Sequence, residues 1–246
     1  MALTDKVEIP RRTMVLFFVV DASGSMDGDK IGAVNTAIRE VLPEIRDISN
    51  DNADALIKIA VLEFSSGVKW LTPNGPVDSN DYNWINLDAS GTTDFGAACR
   101  ALNEKLSTKA FMAEATGSFA PALFLLSDGE PTDDWQQELN KLKQNNWFKA
   151  AIKVALAIGD SADKDVLKAF TGSMETVLEV HNKAMLMKMI KFVSIRASQV
   201  ASKSSNAVDP SQGDTGDEAK QNELIENLNE LKEEIAAAPD AGDEDW

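Results

Sequence analysis

The stretch Thr13–Gly28, "TMVLFFVVDASGSMDG", decides the fold. Its first eight residues, through Val20, form a near-continuous apolar run rich in valine and phenylalanine. A strand covered on both faces, as in a parallel sheet, has that pattern, whereas a strand with one wet face alternates. The run stops at Asp21, and Ser23 and Ser25 follow at two-residue spacing. A carboxylate and two hydroxyls therefore stand at the mouth of a buried strand, where an open parallel sheet binds its ligands.

Downstream the period changes. Ile31, Val34, Ile38, Val41, Leu42 and Ile45 share one helical face. Leu56–Phe64 ("LIKIAVLEF") reads as a second strand, with "VKWLTP" and "NWINL" as shorter strands nearby. Phe95, Ala98, Leu102 and Leu106 mark a second helix, and Ala122–Leu126 ("ALFLL") a buried strand running into "SDGEPTDDW". Asp133 or Asp134 can cap the next helix, with Trp135, Leu139 and Leu142 on its apolar side. Strands at Ala151–Ile158 and Thr176–Val180, a short helix at Asp163–Phe170 and a Met-rich helix at Asn182–Ser198 complete the pattern. Strands alternating with helices predict an α/β fold: a doubly wound, mostly parallel sheet flanked by helices.

After Val200 the composition shifts. "ASKSSNAVDPSQGDTGDE" is polar and rich in Ser, Gly and Asp, the composition of a linker. Leu224, Leu228, Leu231 and Ile235 then form a narrow stripe in an acidic segment, so a short amphipathic helix is expected around 217–237. The expected division is a domain at 11–200 and a flexible acidic tail at 201–246. Thirteen acids against three lysines give that tail ten of the sixteen net negative charges. This balance argues against a nucleic-acid binder or a binder of anionic membranes, which carry basic footprints. With a single cysteine, Cys99, no intrachain disulfide forms. "MVLFFVV" is too short to span a bilayer, and the first residues lack a signal-peptide pattern. A cytoplasmic location is expected.

Three chain-distant segments converge on the carboxyl edge of such a sheet. Asp21, Ser23 and Ser25 follow the first strand, Asp128 follows "ALFLL", and Gly91-Thr92-Thr93 precedes the second helix. All supply oxygen. A hard cation such as magnesium takes six oxygens in an octahedron and keeps several waters. Few charged ligands leave it electrophilic, with a position open for an outside carboxylate; manganese accepts the same donors.

These residues resemble a known family. "DASGSM" matches the Asp-x-Ser-x-Ser signature of von Willebrand factor A (VWA) domains, "SGTTDFGAA" is similar to their Gly-x-Thr loop, and "LLSDGEPTDDW" resembles their Asp-Gly segment. Together these make the family's metal-ion-dependent adhesion site (MIDAS). The resemblance implies a Rossmann-like fold and makes Asp21, Ser23, Ser25, Thr93 and Asp128 the ligands of magnesium or manganese. Thr92 stands where the family commonly has a second glycine, so either Thr92 or Thr93 could face the metal. The implied partner is a protein that offers an Asp or Glu to the ion. "LSDGEPTDDW" further resembles the bacterial intracellular TerY-like branch associated with tellurium resistance, which implies an adaptor in stress or signalling assemblies beside a kinase or phosphatase.

Ordinary roles account for the other polar residues. Asp27, Asp29 and Asp94 read as cap or rim residues, His181 as a residue at a loop end, and Cys99 as a small buried thiol. Met185, Met187 and Met189 read as core. Two other readings stand beside the binding module. A phosphatase with Asp21 as nucleophile needs an acid two positions on, where Ser23 stands, so no enzyme is expected. A regulatory component of a kinase or phosphatase system would use Ser202, Ser204, Ser205, Ser211 and Thr215 as phosphorylation sites.

Overall fold

The computed structural model describes residues 11–113, 117–202, 222–223, 225–230 and 233. β1 (Arg12–Asp21) is the central strand, flanked by β2 (Ala55–Ser65) and β5 (Ala122–Ser127), both parallel to it. β6 (Ile152–Ile158) and β7 (Val177–Val180) extend the parallel array. β3 (Gly67–Trp70) and β4 (Val77–Asp78) pair antiparallel with β2. The order is β3-β2-β1-β5-β6-β7, with β4 also on β2.

The apolar runs predict this placement because both sheet faces are covered. Alternate residues of β1 point into two cores. Met14, Leu16, Phe18 and Val20 meet α1 (Asp29–Asp51) and α6 (Lys183–Ser202) on one side. Val15, Phe17 and Val19 meet α2 (Phe95–Lys105), α3 (Trp135–Leu142), α4 (Asn146–Ala150) and α5 (Lys164–Thr171) on the other. Every residue of β1 after Arg12 is buried. The helical face read from Ile31 to Ile45 is buried throughout, and Met185, Met187 and Met189 pack on the same core.

Three elements depart from expectation, one of them the two-residue β4, which the sequence reading lacks. "NWINL" is not a strand: residues 83–87 are irregular. Asn35 of α1 takes the place of a neighbouring strand there. Its amide Nδ2 donates to Leu87 O at 2.9 Å, and its Oδ1 accepts from Leu87 N and from Trp84 Nε1, each at 2.9 Å. One side chain thus satisfies both backbone groups of Leu87, the work a ladder would otherwise do. The short α4 is absent from the sequence reading. Asn145 caps it, accepting from Trp147 N and Phe148 N.

α6 runs through Ala201 and Ser202, which the sequence reading places in the linker; the rest of that linker, with Ser204, Ser205, Ser211 and Thr215, lies outside the described residues, as do Leu224, Leu231 and Ile235. The described residues from 222 to 230, and residue 233, are helical. Leu228 is 0 % exposed within the core on the α1–α6 face. Among the described residues no helix is long and apolar enough to cross a membrane.

Candidate metal centre

The chain leaves β1 toward β2 on one side and, after β5, continues toward β6 on the other. The carboxyl ends of β1 and β5 therefore flank the switch point of the sheet, where connections diverge and open a crevice. Asp21 is the last residue of β1, and Asp128 follows β5 directly. Both are buried.

Asp21 is held at both oxygens. Oδ1 accepts from Ser23 N at 2.9 Å, and Oδ2 accepts from Ser127 Oγ at 2.6 Å. Burial pushes its carboxyl above the ordinary range. The hydrogen bonds from Ser127 and Ser23 oppose that push, and the charge of Asp128 adds a smaller upward one. Ser23 Oγ lies 3.1 Å from Ser25 Oγ, and Ser25 Oγ donates to Asp128 Oδ1 at 2.7 Å. Hydrogen-bond contacts thus link Asp21, Ser23, Ser25 and Asp128 across two loops, the first of them through the Ser23 amide.

The third loop is clasped onto the first. Gly24 N donates to Gly91 O at 3.0 Å and Ser90 N to Ala22 O at 2.8 Å. Gly91 has φ +82°, and a Cβ there would stand 2.4 Å from Ser66 Oγ, so only glycine fits. Thr92 is exposed and turns away: its Oγ1 lies 3.0 Å from Ser66 Oγ and donates to Asp94 Oδ1 at 3.1 Å. Thr93 is 6 % exposed, and its backbone pairs with Thr132. A Cβ added to Gly129 would meet Ser25 Oγ at 3.2 Å and Thr93 Oγ1 at 3.6 Å. The Thr93 hydroxyl, not that of Thr92, therefore faces the Ser25–Asp128 cluster across Gly129. All five expected residues come together.

The spacing fits a small hard cation. Ligand oxygens about 2.1 Å from an octahedral centre lie about 3.0 Å from their neighbours, and the observed pairs at 3.1 and 2.7 Å bracket that value. Among the described residues no three His, Cys, Asp or Glu side chains gather to hold a metal. A centre on this edge therefore has to draw on hydroxyls.

The remaining polar residues take other posts. Asp133 does not cap α3: its oxygens accept from Gly96 N at 2.9 Å and Ala97 N at 3.0 Å, at the start of α2. Asp134 stands at the N-cap position of α3 with no side-chain capping bond. Asp94 joins the β2–β3 turn, accepting from Gly67 N at 2.7 Å. Asp27 and Asp29 are exposed. His181 Nδ1 lies 2.8 Å from Asp160 Oδ1 beyond the ends of β6 and β7. Cys99 is buried, which pushes its thiol pKa up and keeps it from acting as a nucleophile.

Sequence reasoning missed Ser127 and Lys30. Ser127 ends "ALFLLS", adjacent to Asp128, and its position was the available signal. Lys30 Nζ lies 2.5 Å from Asp128 Oδ2. It sits nine residues from Asp21 in an unremarked part of α1, and no spacing rule pointed to it.

Comparisons with known proteins agree with this architecture. The von Willebrand factor type A domain family model matches residues 16–191. No curated protein matches the chain. Among solved structures, a von Willebrand factor type A protein from Catenulispora acidiphila superimposes with a TM-score of 0.57 at 17% identity, over 76% of this chain and 43% of that one. The pilus adhesin SpaC from Lactobacillus rhamnosus GG gives 0.61 at 15% identity, over 77% and 31%. Proximal thread matrix protein 1 from the mussel byssus, solved with a zinc-occupied MIDAS motif, gives 0.57 at 17% identity, over 76% and 48%. The chain thus spans about a third to a half of the length of these larger chains. On the family match over most of its length, this chain belongs to the von Willebrand factor type A domain family.

Proposed function

We propose that this chain is a metal-dependent protein-binding module and not an enzyme. Asp21, Ser23, Ser25, Thr93 and Asp128 would hold magnesium or manganese, and the captured group is an Asp or Glu of a partner protein. The observation that carries this reading is the convergence of two buried carboxylates and three hydroxyls from three chain-distant loops at the switch point of the sheet. A bound divalent ion supplies Lewis acidity toward an incoming carboxylate. The chain's own residues do the rest. Ser127 and the backbone of Ser23 orient Asp21, Ser25 bridges the first loop to Asp128, and the Gly24–Gly91 clasp sets the height of the threonine loop.

Two carboxylates and three neutral hydroxyls balance a dication without surplus negative charge, so the site retains attraction for one more anion. A phosphatase with Asp21 as nucleophile would need an acid two positions on, and Ser23 stands there. The finer reading is that of an intracellular, bacterial, TerY-like adaptor in stress or signalling assemblies, with a kinase or phosphatase as partner. The "LSDGEPTDDW" segment supports it.

Calorimetric titration with magnesium chloride and then manganese chloride tests the reading. Heat of uptake by the wild type that vanishes in Asp21→Ala is expected, as is capture of a cell protein that chelator abolishes. Absence of uptake from either salt, or a partner that stays bound in both chelator and Asp21→Ala, overturns it.

A further inference from the structure

Lys30 lies in the first turn of α1, where the helix dipole disfavours a cation. Its ammonium nevertheless reaches back across the loop to Asp128 Oδ2 at 2.5 Å, and it lies 3.5 Å from Ser25 O. The pair is well shielded, with side-chain exposures of 17% for Lys30 and 0% for Asp128. Both oxygens of Asp128 are thereby engaged, Oδ1 by the Ser25 hydroxyl and Oδ2 by the ammonium. A carboxylate buried this deeply needs a counter-charge, and Lys30 provides one from the chain itself.

We propose that Lys30 is a tethered cation that occupies Asp128 in the metal-free protein and sets the affinity of the site for a divalent ion. This inference rests on the metal-binding reading above. An ion drawn to the Asp21–Asp128 pocket and the Lys30 ammonium compete for the same carboxylate. Two cations beside one buried anion also repel each other more strongly than they would in water. Lys30 therefore opposes metal uptake while holding the empty pocket together. Its removal acts in opposite directions on the two states: the metal-free protein loses a buried counter-charge, and the metal-bound protein loses a repulsion. General structural damage cannot imitate this, because a damaged site binds metal more weakly.

The test is magnesium and manganese calorimetry on the full chain, paired with thermal unfolding in chelator. The variants are Lys30→Met, Lys30→Gln and Lys30→Arg, with Lys191→Met as a control that removes one positive charge from the exposed side of α6. Lys30→Met and Lys30→Gln are expected to bind metal about tenfold more tightly than wild type and to unfold at lower temperature in chelator. Lys30→Gln still offers Asp128 a neutral hydrogen bond, which keeps the comparison open if the methionine variant folds poorly. Lys30→Arg and Lys191→Met are expected to bind as wild type does. Metal uptake by wild type with unchanged or weaker uptake by both neutral variants overturns the role of Lys30 and leaves the metal site standing. No uptake by any variant overturns the metal site, and the role of Lys30 with it.

Discussion

Asn35→Ala measures how the irregular segment before the threonine loop is held. Asn35 is 7 % exposed and makes three hydrogen bonds of 2.9 Å to that segment: to Leu87 O, from Leu87 N and from Trp84 Nε1. Alanine removes all three. Each buried polar group left without a partner costs about 1–3 kcal/mol. Leu87 is itself buried, so both of its backbone groups are stranded, while the indole of Trp84 is half-buried and regains water. Alanine's better helix propensity returns roughly 0.5 kcal/mol. The expected net loss is about 3.5 kcal/mol, taking the two backbone groups at mid-range. For a domain of this size that is a fall in Tm of about 7–14 °C. Urea unfolding followed by tryptophan fluorescence gives the free energy, and calorimetry gives Tm. Asn35→Asp sharpens the test: it keeps the acceptor for Leu87 N and Trp84 but sets a carboxylate oxygen against Leu87 O, so it should also destabilise. If both variants unfold within about 0.5 kcal/mol of wild type, the ordinary range for a neutral surface change, the side chain does not hold this segment.

Two further outcomes follow from the geometry. Asp133→Ala should cost about 1–2 kcal/mol by uncapping α2, whereas Asp134→Ala should stay within about 0.5 kcal/mol of wild type; urea midpoints separate them, and the reverse order would restore the cap to α3. Burial raises the Asp21 pKa, so the folded metal-free protein binds that proton more tightly than the unfolded chain. The associated stability is present in acid, below the unfolded value of roughly 4, and is lost as pH rises through the folded pKa. Asp21→Asn should therefore be more stable than wild type in chelator at neutral pH, by a margin that shrinks toward pH 4, and should gain nothing from added magnesium. Thermal scans across that range check the sign, and lower neutral-pH stability of the variant would refute it.

The sequence by itself determined the main strands and helices and the edge on which a site could form. The apolar runs at Thr13–Val20 and Ala122–Leu126 read as strands covered on both faces, and the period change at Ile31 as a helix on one of those faces, and the structure has them so. Asp21, Ser23, Ser25 and Asp128 were legible because strand ends are local features, and a parallel sheet puts all such ends on one edge. Everything that depends on side chains reaching across the chain was settled only by tertiary structure. Thr92 and Thr93 are neighbours of similar chemistry, and the choice between them is made by Ser66 and Asp94, which draw Thr92 away. "NWINL" has strand composition, but its backbone partner is an amide on α1, 52 residues from Leu87. Asp133 caps a helix whose first turn lies more than thirty residues earlier in the chain. Lys30 meets Asp128 across 98 residues of sequence. Periodicity reports which face of an element is buried, because burial repeats with the backbone; a single polar contact repeats with nothing, so only the folded chain reveals it.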